Sequence, residues 1–157
     1  MLSTVSAIGA QNIGAQKPER AVSTLKYAML IAGIFGAVIA LLVQFIAEPV
    51  VSLFTNDIAV AAAGGEYFKG YVFDCFFASF HFCFSGYFCA CGKSQYSFLH
   101  NIISIIVMRV PGAYFTSLWF PQTLLPMGLA TAAGSLVSVI ICMIVFVGMK
   151  RKMSVSS

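Results

Sequence analysis

Three stretches of this chain contain no Asp, Glu, Lys or Arg: residues 27–47, 75–92 and 110–149, which are 21, 18 and 40 positions long. A helix rises about 1.5 Å per residue and needs about 20 apolar residues to cross a bilayer's hydrocarbon core. The first two runs each allow one crossing, and the third holds the second part of one crossing and, after a turn, the whole of another. Inside lipid a helix satisfies all its backbone polar groups within its own segment. The fold class that follows is an all-α integral membrane protein with four transmembrane helices.

Composition agrees, with 60% hydrophobic and 9% charged residues and a mean hydropathy of +0.93, against about a quarter charged in soluble domains. The net charge of +4 does not point to nucleic acid, because the basic residues stand at the ends of apolar segments and form no basic face. Residues 1–16 have neither a basic start nor a continuous apolar stretch, so insertion is expected to rely on the helices themselves. Cys75, Cys83, Cys89, Cys91 and Cys142 all lie in apolar stretches, and Cys89 and Cys91 lack CxxC spacing, so they read as small hydrophobes rather than metal or redox ligands. There is no phosphate-binding glycine loop, metal-spaced His/Cys/Glu set or nucleophile motif, which argues against an enzyme. No cofactor is expected.

Residues 1–16 read as the end of a helix whose beginning is absent. Lys17-Pro18-Glu19-Arg20 then opens a new one, with proline and an acid where a first turn favours them. The spans are placed at about residues 22–47, 67–91, 96–119 and 127–149. The first carries small residues at four-residue steps (Ala28, Ala32, Gly36, Ala40), and the last does the same (Ala130, Gly134, Ser138, Cys142). Such stripes let helices approach closely in lipid. Glu48-Pro49 is expected to end the first span and residues 50–66 to form a loop with a short interfacial helix near residues 58–63. Pro111 should interrupt and kink the third span.

Lys17, Arg20, Lys26, Lys93, Lys150, Arg151 and Lys152 fall on one side of this arrangement, with only Lys69 on the other. Positive charge stays inside, so a multi-pass protein of the cell membrane with both termini cytoplasmic is expected, and Tyr67, Trp119 and Phe120 belong to the outer aromatic belt.

An ionisable side chain inside a span costs about 2.5–3.5 kcal/mol on insertion scales and is a functional candidate by default. Asp74, His81 and Arg109 qualify, while His100 is placed near the cytoplasmic interface. Asp74, Ala78, His81 and Ser85 follow steps of four, three and four, forming one polar line on a helix otherwise covered by Phe73, Phe76, Phe77, Phe80, Phe82 and Phe84. The phenylalanines read mainly as lipid-facing bulk. A carboxylate on that line can bind Na⁺, exchange a proton or attract an organic cation, or it can be an outer helix-start acid. His81 reads as part of the same site or as a histidine bonded between helices. Arg109 keeps its charge and needs a partner, either Asp74 or carbonyls freed at Pro111.

Ala10-Gln11-Asn12-Ile13-Gly14-Ala15 followed by Lys17-Pro18-Glu19-Arg20-Ala21 is similar to the end of helix 8 and the following inner loop of multidrug and toxin extrusion (MATE) transporters. Glu48-Pro49-Val50-Val51-Ser52-Leu53-Phe54, Cys91-Gly92-Lys93-Ser94 and Arg109-Val110-Pro111 fall in the same order as their counterparts after helix 9, between helices 10 and 11, and within helix 11. The resemblance implies a partial C-terminal lobe: the end of helix 8, as a partial N-terminal helix, and helices 9–12 of a fold with two six-helix lobes. It further implies a secondary antiporter exporting organic, often cationic compounds in exchange for Na⁺ or H⁺ by alternating access. Its partners would be the bilayer, small-molecule substrates and the N-terminal lobe. Some family members carry an acid in helix 10 at the cation site; Asp74 falls about one turn nearer the outer face than that acid, and Ala78 nearer its place. Two other readings are a lipid-linked oligosaccharide flippase of the same superfamily, expected to show more cavity-facing cations, and an autonomous small membrane assembly protein.

The charge count makes a topological prediction. In a cysteine-free background, a cysteine at position 57 should react with an impermeant maleimide from outside the cell. Labelling only from the cytoplasm would reverse the orientation.

Overall fold

Local chemistry at turns bounds the first helices of the computed structural model, which describes residues 1–155. Helix α1 (Leu2–Gly14) ends with Gln16 at φ 59°, its N–H on the Ile13 carbonyl and that of Lys17 on the Asn12 carbonyl. This pair of bonds satisfies carbonyls left over at a helix end. Helix α2 (Pro18–Ser52) starts with Pro18 at its first position and Glu19 in its first turn. Helix α3 (Ile58–Ala90) is capped by Asp57, whose carboxylate accepts from the Ala59 and Val60 N–H groups. It closes on Gly92 at φ 69°, where a side chain would be strained, with the Lys93 N–H reaching the Phe88 carbonyl. Helices α4 (Ser94–Ser104) and α5 (Val110–Trp119) join through a π-helical turn, Ile105–Arg109, into one rod, and α6 (Leu125–Val155) completes the chain. Four helices are long and apolar enough to cross a membrane: α2, α3, the α4–α5 rod and α6.

Two boundaries differ from expectation. Pro49 does not end α2, which runs on to Ser52, and the loop expected over residues 50–66 is only residues 53–57. The segment expected as a separate interfacial helix is the first turn and more of α3. Gly64 and Gly65 explain the continuity, because they let the ends of α2 and α3 run side by side: a Cβ at Gly65 would lie 3.1 Å from the Glu48 Cα, and one at Gly64 2.8 Å from a Val51 methyl. The break expected at Pro111 appears as the π turn, in which the Val110 N–H bonds back to the Ile105 carbonyl just before the proline that has no N–H to give.

Helix α3 is central, packed against α1, α2, α4 and α6, whereas α5 touches only α6 and the π turn. Ala28, Ala32 and Ala40 of α2 are buried, and Gly33 and Gly36 receive Phe80 and Phe76 of α3. Phenylalanine on α3 is therefore not mainly lipid-facing: Phe84 and Phe88 are core residues with Val5, Leu25, Cys83, Tyr87 and Cys142, and only Phe73 and Phe82 are exposed. The large apolar residues left exposed, such as Ile31, Phe35, Leu42 and Phe45 on α2, suit a lipid solvent.

The tightest crossing lies between α3 and α6. A Cβ on Gly70 would sit 2.6 Å from the Leu125 carbonyl oxygen, and one on Gly128 2.7 Å from the Tyr71 nitrogen. Both obstacles are backbone, so neither yields by a side-chain rotation. Gly128→Ala should lower stability by about 1–3 kcal/mol in detergent-titrated unfolding. Gly148→Ala, whose Cβ meets nothing within 4 Å, should be neutral or stabilising by up to about 1 kcal/mol.

Candidate functional site: a buried ion pair in an open cleft

Where the α4–α5 rod and α3 meet α6, the bundle interior turns polar. Asp74, His81, Ser85, His100, Ser104, Ser135 and Ser138 are all buried. Hydrocarbon offers these groups no partners, so they must bond one another. Ser104 Oγ donates to the Gly134 carbonyl at 2.5 Å, Ser85 Oγ and His100 Nε2 share a hydrogen bond of 2.9 Å, and Ser138 Oγ donates to the His100 carbonyl at 3.4 Å.

At the end of this seam away from Ser85, Arg109 Nη2 donates to Asp74 Oδ1 at 2.8 Å and to Ser135 Oγ at 2.7 Å, while Ser135 Oγ donates to the same Asp74 oxygen at 2.6 Å. Three helical segments are thereby tied by one triangle of atoms. The arginine reaches it by lying across Gly134, where a Cβ would come within 2.6 Å of the Arg109 Cγ. Asp74 is only 4% exposed, whereas the Arg109 side chain is 31% exposed. All these bonds fall on Oδ1, so Oδ2 has no hydrogen-bond partner among the described residues. Arg109 Nε is buried and also without one.

The pair borders an open cleft of about 880 Å³ whose wall includes Tyr71, Asp74, Ala78, His81, Asn101 and Arg109. Three members of the polar line on α3 thus share one cavity, and the fourth, Ser85, turns to His100. His81 is 4% exposed, its ring meets that of His100 at a centroid distance of 5.4 Å, and its Nδ1 has no partner among the described residues. His100, expected near the cytoplasmic interface, faces the bundle interior. It is 2% exposed, because its helix turns it inward between α3 and α6. Arg109 takes Asp74 and Ser135 as partners rather than carbonyls near Pro111.

Ser104, Ser135 and Gly134 contribute to the site in ways the sequence did not single out. Gly134 stood in the small-residue stripe, and its task as a bed for the arginine stem depends on a neighbour 25 positions away. Thr131, Ser135 and Ser138 at helical spacing were the available signal, a polar strip in an otherwise apolar span.

Four spanning helices, a small-residue crossing and a charged pair inside the bundle are the features of a membrane transporter rather than of a passive anchor. The MatE family model matches residues 1–115, from α1 through the π turn into α5. The chain belongs to the MatE family. No curated protein and no solved structure matches it significantly. As a MATE transporter chain it carries its polar seam largely within the matched region, Asp74, His81, His100 and Arg109 included, while Ser135 and Ser138 follow on α6.

Removing one partner of a fully buried ion pair costs about 3–5 kcal/mol, because the other charge is left unpaired. The partial exposure of Arg109 reduces that here. In a double-mutant cycle, Asp74→Asn and Arg109→Gln should each destabilise the bundle, and the double variant should lose less than their sum by about 1–3 kcal/mol. Additive losses would show that the two side chains are not coupled.

Proposed function

We propose that this chain supplies the cation-handling part of a secondary antiporter that exports organic, often cationic compounds in exchange for Na⁺ or H⁺. The observation that carries this reading is Asp74, a carboxylate buried among helices yet on the wall of a large open cleft. Burying a charge in a membrane bundle is unfavourable unless it is paired. Asp74 has its pair, and keeps a second oxygen without a hydrogen bond. A carboxylate so placed can attract a cation by charge and hold it in a setting of low dielectric, where the attraction is stronger than in water.

The apolar wall around it suits the amphiphilic part of an organic cation, with Tyr71, Phe82 and Ile105 beside the polar groups. Alternating access requires two bodies that rock about the binding site, so export is expected from this chain together with a second lobe. Arg109 is the one lysine or arginine on the cleft wall among the described residues, and it is paired with Asp74. That favours a multidrug substrate over the polyanionic headgroup of a lipid-linked oligosaccharide.

Efflux of a cationic dye from cells expressing the transporter with both lobes tests the reading. Asp74→Asn keeps the shape and removes the charge, and should reduce efflux at least about tenfold at unchanged protein level, with a smaller loss for His81→Gln. Normal efflux by Asp74→Asn across a range of pH and sodium concentration would place coupling elsewhere.

A further inference from the structure

The carboxylate proposed to bind a cation already holds one. Arg109 Nη2 occupies Oδ1 of Asp74, at the position a coupling ion or a substrate ammonium group would take, and the arrangement that brings it there is built to be reversible. The guanidinium lies at the border of the cleft, with its side chain 31% exposed. Its Nε has no partner, so part of its bonding capacity is unused while it is docked. It stands at the last position of a π turn, a bulge that α-helices carry as a local irregularity and often place at functional sites. Relaxing such a turn by one residue of register would rotate the side chain by roughly 100° about the helix axis, away from α6. What opposes this is the seat of the arginine stem on Gly134 and the contact of Gly112 with Ala130 just beyond the turn; among the described elements α5 contacts α6 and the turn alone.

We propose that Arg109 is an internal surrogate cation, which holds Asp74 when the site is empty and is displaced from it when the transported cation binds. This rests on the reading of Asp74 as a cation site and adds the identity of its resident competitor. A cation entering the cleft can bind at Oδ2, the oxygen without a hydrogen bond, while Arg109 still holds Oδ1. As it settles, the carboxylate's charge is shared and the arginine loses its hold on Oδ1, then on Ser135. Release of Arg109 also unties the π turn from Asp74 of α3 and Ser135 of α6, which couples occupancy of the site to the seating of the α4–α5 rod. The surrogate prevents Asp74 from standing as an unpaired buried charge between cycles.

Competition has a quantitative signature. A ligand that binds only the fraction of sites free of Arg109 has its affinity lowered by that fraction, so removing the competitor should tighten binding. Binding of tetraphenylphosphonium, and separately of Na⁺, is measured on the chain in lipid nanodiscs, without reference to export. Arg109→Gln should tighten at least one of the two by about tenfold or more, Arg109→Lys should stay near the unmodified affinity, and the gain should vanish in Asp74→Asn/Arg109→Gln. Gly134→Ala, which crowds the arginine stem while leaving the residue in place, should tighten binding in the same direction.

On the unmodified chain, difference infrared spectra with ¹⁵N-arginine labelling should show a guanidinium band that moves on adding the cation. This readout does not depend on any variant folding. Equal or weaker binding by a folded Arg109→Gln, a gain that survives Asp74→Asn, or an arginine band unmoved at saturating cation would overturn the proposal. Loss of efflux is a separate result: cation binding that follows this pattern without export would remove the antiporter reading and leave Arg109 as a competitor.

Discussion

Backbone lies directly against backbone where α3 crosses α6, at Gly70 and Gly128, and the distances within the polar seam follow from that contact. Asp74 lies one turn along α3 from Gly70, and Ser135 two turns along α6 from Gly128. With the helices this close, Ser135 Oγ is 2.6 Å from the carboxylate. A crossing wider by even one methyl group would part them and leave buried polar atoms without partners. In lipid, where no hydrophobic force drives helices together, close packing and interhelical bonds are the available sources of cohesion. The glycines supply the first and thereby permit the second.

The seam in turn explains why α3 is central. Its N-terminal half packs against α2 through Ala40, Val43, Ala47 and Val72, and its C-terminal half through a larger cluster that includes α1 and α6. Polar residues occupy the side facing α4, the π turn and α6. A helix with apolar contacts on two sides and a charged group on a third has little freedom to rotate, so Asp74 is presented to the cleft in one orientation. The rod formed by α4 and α5 is held less widely. Its ties are Ser104 to Gly134, His100 to Ser85 and Ser138, and Arg109 to Asp74 and Ser135. Apolar contacts accompany those polar ties, with Gly112 close against Ala130 and the Tyr96 ring against that of Phe88.

Much of this was legible beforehand. Charge-free runs place four spans because the thickness of the hydrocarbon sets a length and the exclusion of charge sets a composition. The stripe at Ala28, Ala32 and Ala40 marks the face of α2 that is buried, since only small residues let a helix come close. The polar line Asp74, Ala78, His81 identifies a wall of the cleft because helical period is a local property. The stretch from Pro49 to Glu66 was misread because proline and paired glycines are usual turn signals. Here Gly64 and Gly65 serve the approach of a neighbouring helix, which no local pattern reveals. The inward facing of His100 was hidden for a similar reason: nearness to a span end says how deep a residue lies, not which way it faces.

The sequence by itself determined the solvent, the number of crossings, the side on which positive charge gathers and the short list of ionisable groups that lipid would not tolerate without a reason. These depend on composition and on spacing along one helix. Only the tertiary structure decided that Arg109 is bound to Asp74, that Ser135 completes the pair, that Gly134 makes room for the arginine and that His81 faces His100. Each of those depends on the rotation and separation of helices whose paired residues are 19 to 61 positions apart in the chain. Interhelical geometry is a property of the assembled bundle, fixed by backbone contacts such as that of Gly70 with Gly128, and no single helix carries it.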